Sequence, residues 1–134
     1  MQEAHSCEAV VLHCIDFRFT DDLDKHLIGR FPQGYDLISL AGSCKGLLSD
    51  EDHRKILLEQ FQISNRLHHP GTIVLIQHED CGAYGGSKNF GDSISEQEFQ
   101  KGELEKAAQL LAQNFPGIRI ERYFAKLSKE VVAL

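Results

Sequence analysis

The chain has 134 residues, of which 42% are hydrophobic and 25% are charged, and its formal net charge is −6. These values are typical of one soluble globular domain spanning residues 1–134, and the acidic balance argues against a nucleic-acid partner. No apolar run is long enough to cross a membrane and the first residues lack the features of a secretory signal, so we expect a cytoplasmic protein with reduced thiols.

In the first part of the chain, predicted strands alternate with predicted helices. Residues 8–16 form the first predicted strand, and a helix is expected to begin at Thr20, where two aspartates lie in the first turn. Residues 31–34, which read Phe-Pro-Gln-Gly, end this helix, and residues 35–40 form the second strand.

The second predicted helix begins near Ser49 and is expected to bury three apolar residues, Ile56, Leu57 and Phe61. A third strand follows at residues 72–77. It leads into a glycine-rich loop, which would let the backbone approach a bound group closely.

The last part of the chain completes the pattern. Ser95 and Glu98 form a capping box that predicts the start of a third helix, and residues 118–125 form a fourth strand. The pattern of residues 126–134 favours neither a helix nor a strand. The order βαβαβαβ predicts an α/β fold with a mainly parallel four-stranded sheet, helices on both faces and strand order 2-1-3-4.

Three potential metal ligands follow two of the predicted strands. Cys14 follows the first strand, and His78 and Cys81 follow the third. If these strands are parallel neighbours, their carboxyl ends meet at one edge of the sheet, where such folds bind ligands. Two sulfurs and one nitrogen suit Zn²⁺ and leave a coordination position for water, as in catalytic sites. A metal-free pair of structural thiols is the alternative.

Asp16 and Arg18 are predicted to act beside this metal. Alternate residues of an extended segment share one face, so Cys14, Asp16 and Arg18 would point into the same crevice. Arg18 can hold the Asp16 carboxylate in two hydrogen bonds and keep it ionised, so that Asp16 orients a zinc-bound hydroxide. Without that restraint, Asp16 could itself become a metal ligand and close the site. An ordinary surface ion pair is the alternative.

Residues 14–18, Cys-Ile-Asp-Phe-Arg, and residues 78–83, His-Glu-Asp-Cys-Gly-Ala, resemble the two motifs of the β-class carbonic anhydrases. The resemblance extends over about residues 10–84. This chain would be a short member, since helical arms usually precede the first strand in that family. It also carries Phe17 where serine is commonest in the family. Gln33 lies in a Phe-Pro-Gln-Gly turn, which resembles the family's Phe-Gln-Pro-Gly turn with the glutamine and the proline exchanged.

The resemblance implies a reaction, an assembly and the roles of five residues. It implies reversible hydration of CO₂ to bicarbonate by a zinc-bound hydroxide, in a homodimer or a larger homo-oligomer. Carried over by position, it assigns zinc to Cys14, His78 and Cys81, and orientation of the hydroxide to Asp16 with Arg18.

Two other functions stay open at this point. The same metal site could hydrolyse a CO₂-like molecule such as carbonyl sulfide or carbon disulfide. Alternatively, the zinc could only hold the sheet edge together in a non-catalytic protein, although a purely structural site prefers four protein ligands.

The remaining cysteines and histidines carry weaker signals. Cys44 could be a fourth zinc ligand or a redox-sensitive thiol, but an ordinary loop cysteine is the preferred interpretation. Cys7 is given no role, and His68 and His69 are expected to be solvent-exposed with no third ligand nearby. Three aromatic residues are candidates for an apolar wall around CO₂: Phe17, Tyr84 and Phe90.

Overall fold

The structure, a computed structural model, describes residues 5–134. Its main elements, in chain order, are β1 (Ala9–His13), α1 (Thr20–Arg30), β2 (Tyr35–Ser39), α2 (Lys45–Ser49), α3 (Glu51–His68), β3 (Thr72–His78), α4 (Ser93–Asn114), β4 (Arg119–Ala125) and β5 (Val131–Ala133). Residues 1–4, which belong to the segment judged to lack a secretory signal, lie outside the described residues. Between residues 5 and 134, no helix has both the length and the apolar character needed to cross a bilayer.

The five strands form one sheet in the order β2-β1-β3-β4-β5. The first four are parallel and β5 runs antiparallel to β4. The predicted α/β class and the order 2-1-3-4 are therefore confirmed, but the predicted strand count of four is wrong. The ambiguous tail turns back when the Lys126 N–H donates to the Glu130 carbonyl at 2.8 Å, and only three residues then pair. So short a strand has no periodicity to detect.

The core lies on both faces of β1 and β3, whose residues are nearly all buried because each strand has neighbours in the sheet and helices on both sides. On one face, alternate residues of these strands pack against α1. On the other face they pack against α2, α3 and α4. The continuous apolar runs of the sequence thus mark the two central strands.

The starts of two helices differ from the prediction. Helix α3 begins after Asp50, whose Oδ1 accepts a hydrogen bond from the His53 N–H at 2.9 Å, and Ser49 ends the unpredicted helix α2. Likewise α4 is capped by Asp92 and not by Ser95. In both cases an ionised carboxylate near a serine occupies the cap, where it also interacts favourably with the helix dipole.

The buried side of α3 is also narrower than predicted. Leu57 and Phe61 are buried as expected, whereas Ile56 is 57% exposed. The buried residues of α3 are Leu57, Phe61 and Ser64, at the i, i+4, i+7 spacing of one helical face, and Ile56 lies off that face.

Candidate metal centre

Adjacent parallel strands bring three of the predicted side chains together. Strand β1 pairs with β3, so Cys14, which follows β1, and His78, the last residue of β3, lie at the same edge of the sheet. Cys81 comes from the loop that follows β3. One ligand atom from each residue lies within 4.8 Å of the other two. Ligand atoms that share a tetrahedral zinc lie about 3.3–3.8 Å apart, so a small contraction suffices to enclose the ion.

The imidazole of His78 presents a free nitrogen to the two thiols. Its Nδ1 lies 2.7 Å from the Glu79 carbonyl, which places the proton on Nδ1 and leaves the lone pair on Nε2. Nε2 is buried and has no hydrogen-bond partner among residues 5–134. The ring is packed against Phe19, with centroids 4.3 Å apart. A buried, unpartnered and oriented nitrogen beside two sulfurs fits Zn²⁺ chemically.

The two thiols affect each other strongly. Interaction with the Cys81 thiol lowers the pKa of Cys14, and interaction with Cys14 together with burial raises the pKa of Cys81. Negative charge on both sulfurs is therefore disfavoured unless a cation lies between them. The Gly42 N–H donates a hydrogen bond to Cys14 Sγ at 3.4 Å and also supports a thiolate there.

Asp16 and Arg18 are paired, although not on the extended segment that was predicted. Strand β1 ends at His13, and Phe17–Phe19 forms a 3₁₀ turn capped by Asp16. The Arg18 Nη2 donates to Asp16 Oδ2 at 2.7 Å, its Nε donates to Oδ1 at 3.1 Å, and its backbone N–H donates to Oδ1 at 3.0 Å. These bonds lower the pKa of Asp16 to about 2. Its Oδ2 lies 3.9 Å from His78 Nε2, beside the three ligand atoms.

Asp80 is a site residue that sequence analysis missed. The Arg18 Nη1 donates to Asp80 Oδ2 at 3.0 Å, and its Nη2 donates to the Asp80 carbonyl at the same distance. The buried carboxylate of Glu96 in turn accepts the Asp80 N–H at 2.8 Å. Asp80 adopts a positive φ of 59°. Its place inside the second motif was a signal, but nothing local indicated its partner.

An open pocket of about 830 Å³ lies over the cluster. Its apolar wall differs from the predicted aromatic one. Phe17 lines the pocket, but Tyr84 turns its hydroxyl toward Glu103, at 2.9 Å, and Phe90 packs against Phe99. Three small or aliphatic side chains complete the apolar lining: Ile15, Ala41 and Ala83.

Several candidate residues lie away from this pocket. Cys44 is completely buried in the core and is not part of the metal cluster. Gln33 is exposed at the amino ends of the strands, opposite to the pocket, where its backbone N–H donates to the Glu8 carboxylate. The expectation that His68 is solvent-exposed and lacks other ligands is wrong, because it is half-buried and lies beside Cys7 and Asp36. These three residues are far apart in the chain and meet only in the folded protein, so their spacing in the sequence could not reveal the cluster.

A family model described as "Putative carbonic anhydrase" matches residues 4–134. The chain is 25% identical to an uncharacterized protein of Rickettsia conorii, over 95% of this chain and 72% of that protein. It is 23% identical to an uncharacterized protein of Rickettsia bellii, over 95% of this chain and 81% of that protein.

Solved structures are similar over nearly the whole chain. β-Carbonic anhydrase isoform I of Trichomonas vaginalis gives a TM-score of 0.65 at 16% identity, covering 99% of this chain and 85% of that chain. The carbonic anhydrase of Glaciozyma antarctica gives 0.65 at 15% identity, covering 98% and 84%. A tetrameric β-carbonic anhydrase of Sordaria macrospora gives 0.63 at 14% identity, covering 98% and 82%. At these identities the likeness concerns the fold alone.

Proposed function

The chain belongs to the family described as putative carbonic anhydrase, and from this premise we propose that it catalyses the reversible hydration of CO₂ to bicarbonate with a bound Zn²⁺. The proposed metal ligands are Cys14, His78 and Cys81. The proposed catalytic residues are Asp16 and Arg18.

The observation that carries the proposal is the buried, unpartnered Nε2 of His78. It faces the sulfurs of Cys14 and Cys81, with the three ligand atoms within 4.8 Å of one another. Leaving a buried polar atom without a partner costs about 1–3 kcal/mol, so a missing partner at this position is the simplest explanation. A bound Zn²⁺ would supply that partner, and its chemistry there would be to lower the pKa of a water molecule toward neutral pH.

The role proposed for Asp16 is to orient the attacking water. Its carboxylate stays ionised because Arg18 donates to both oxygens, and it can accept one further hydrogen bond on the pocket side. Arg18 is itself fixed by Asp80, so Asp16 cannot turn freely toward the metal ligands. Asp16 would therefore be held as an acceptor beside the three proposed ligand atoms without becoming a ligand.

The pocket supports a small apolar substrate. CO₂ has no strong hydrogen-bonding group, and the wall formed by Ile15, Phe17, Ala41 and Ala83 can hold it by contact alone. Two of the proposed metal ligands, Cys14 and Cys81, line the same open cavity as that wall. Binding would be weak, which suits rapid exchange of substrate and product.

We also propose that the protein self-associates and acts in the cytoplasm. Phe17 and Ile15 are 85% and 63% exposed at the pocket, and Leu37 is 51% exposed on the edge strand β2. A second copy could cover such apolar surface, as in a homodimer. The four cysteines are free thiols, in keeping with a reducing compartment. Sedimentation analysis would test the assembly, and a monomer at every concentration would contradict it.

The decisive experiment measures metal content and CO₂ hydration on the same sample, with Asp16→Asn alongside. We expect the wild type to bind Zn²⁺ and hydrate CO₂, and Asp16→Asn to keep the metal while losing activity about 100-fold, within the range for a positioned proton-transfer group. Hydrolysis of carbonyl sulfide or carbon disulfide without CO₂ hydration would favour the sulfur analogues. A zinc-loaded protein inactive on all three substrates would favour the non-catalytic alternative.

A further inference from the structure

We propose that Cys7, Asp36 and His68 form a second site for a divalent transition-metal ion, with Zn²⁺ as the best match. One ligand atom from each of these residues lies within 4.8 Å of the other two. The site is independent of the proposed catalytic centre.

The two clusters lie at opposite ends of the parallel strands. Cys7 precedes β1, and Asp36 is the second residue of β2, so both lie at the amino ends of parallel strands. His68 is the last residue of α3, which leads into the amino end of β3. The catalytic cluster instead follows the carboxyl ends of β1 and β3. The length of the central strands therefore separates the two sites.

Backbone and side-chain hydrogen bonds already hold the three residues in place. The Cys7 N–H donates to the His68 carbonyl at 3.1 Å, which fixes the segment before β1 against the end of α3. His68 Nδ1 lies 2.7 Å from Asp36 Oδ2, and the Ser64 hydroxyl donates to the same oxygen at 2.7 Å. Ser64 thus orients the carboxylate as an outer hydrogen-bond partner does in metal sites. To admit an ion, the contact between His68 Nδ1 and Asp36 Oδ2 would have to widen to about 3.3 Å.

The ligand types select the metal. A thiolate, an imidazole and a carboxylate suit Zn²⁺, whereas Mg²⁺ and Ca²⁺ prefer oxygen ligands alone. Their charges would offset those of a dication. The ring of His5 lies edge-on to that of His68, with centroids 4.6 Å apart, so a second imidazole lies beside the cluster. Water can occupy the remaining coordination position.

A simple ion pair between His68 and Asp36 explains less of this arrangement. Such a pair needs no thiol, and Cys7 is placed beside it with its Sγ donating weakly to the Ala9 carbonyl at 3.3 Å. An activated nucleophile is also a poor explanation, because burial and the Asp36 carboxylate raise the pKa of the Cys7 thiol. A cation beside the carboxylate would reverse that effect and allow the thiol to deprotonate, with release of a proton on binding.

The test counts Zn²⁺ equivalents bound by the full chain after dialysis against a weak competing chelator. We expect two equivalents for the wild type and one for Cys7→Ser. His69→Asn is the matched control, since His69 is an exposed neighbour with a positive φ that asparagine tolerates, and it should bind two. Equal stoichiometry in the wild type and Cys7→Ser would overturn the second site.

A spectroscopic readout separates this site from the catalytic one. In a Cys14→Ala/Cys81→Ala double variant, a thiolate-to-Co²⁺ charge-transfer band would have to come from another cysteine. We expect that band, and we expect Cys7→Ser to abolish it; no band, or one that survives Cys7→Ser, would overturn the site. If the double variant fails to fold by circular dichroism, the single variants still decide by stoichiometry. CO₂ hydration by Cys7→Ser should equal that of the wild type, so the failure of one proposal leaves the other standing.

Discussion

Arg18 and Asp80 are 62 residues apart in the chain, yet the Arg18 guanidinium donates to both the carboxylate and the main-chain carbonyl of Asp80, each at 3.0 Å. The same guanidinium holds Asp16. The loop after β1 and the loop after β3 are thus joined by one side chain at the pocket. The predicted pair of Asp16 and Arg18 is therefore part of a group of three residues, in which Asp80 fixes the orientation of Arg18 and, through it, that of Asp16.

Asp80→Asn should reduce CO₂ hydration about two- to fivefold without loss of zinc. The substitution keeps the size of the side chain but replaces a charged acceptor of Arg18 with a neutral amide, and the effect is small because the Arg18 and Asp80 side chains are both about one-third exposed. Turnover and metal content would be measured on the same samples. Asp52→Asn, an exposed residue in the first turn of α3, is the matched control. Equal activity in Asp80→Asn and the control would exclude a positioning role for Asp80.

Arg18→Ala should let Asp16 bind the metal. Without the guanidinium, the backbone N–H of residue 18 is left as the donor to a carboxylate whose Oδ2 is already 3.9 Å from His78 Nε2. We expect activity to fall by about 100-fold and X-ray absorption of the zinc protein to report four protein ligands instead of three. An Arg18→Ala protein that retains three ligands and a bound water would contradict this prediction.

Cys81→Ala and Cys44→Ala separate a ligand from a core cysteine. Cys81→Ala should lose the zinc bound with Cys14 and His78, together with all CO₂ hydration. Cys44→Ala should keep both, at a cost of about 1 kcal/mol in unfolding free energy for a small buried group. Metal analysis and chemical unfolding distinguish the outcomes. Unchanged metal stoichiometry in Cys81→Ala would remove that residue from the ligand set.

Gly42→Ala should weaken zinc binding about tenfold, as loss of an outer hydrogen bond to a ligand does. Gly42 has a φ of +82°, and an added Cβ would lie 3.0 Å from that of Ala83. The backbone must shift, and its N–H then moves away from Cys14 Sγ. Competition titration with a chelator measures the change. At Gly29, an added Cβ would have no neighbouring atom of the described part of the chain within 4 Å, so Gly29→Ala should bind zinc as the wild type does. Equal losses in both variants would contradict this role for Gly42.

Protonation of His26 should lower the free energy of unfolding as the pH falls. Burial lowers its pKa below the usual 6.5, an effect that the Glu121 carboxylate partly offsets and Arg30 reinforces. Because the unfolded chain binds the proton more readily, the unfolding free energy falls as the pH drops below about 6.5. His26→Leu should therefore lose less stability than the wild type between about pH 8 and about pH 5. Urea unfolding across this range checks the slope, and parallel curves would refute the assignment.

The order of elements and the site's position could be predicted from the sequence, because both follow from local patterns. Continuous apolar runs marked β1 and β3, and the carboxyl ends of parallel neighbours must share an edge. The helix starts could not be placed in the same way, because Ser49 and Ser95 lie close to Asp50 and Asp92 and can cap a helix equally well. A three-residue strand such as β5 carries too little pattern to be found.

By itself, the sequence determined which side chains follow the two central strands, and therefore that Cys14, His78 and Cys81 could meet. Only the tertiary structure decided that Arg18 also holds Asp80, that Gly42 donates to Cys14, and that Cys7 lies beside Asp36 and His68. These contacts join residues far apart in the chain through loops and a helix end. Their geometry depends on backbone turns and packing between elements, neither of which leaves a periodic trace in the sequence.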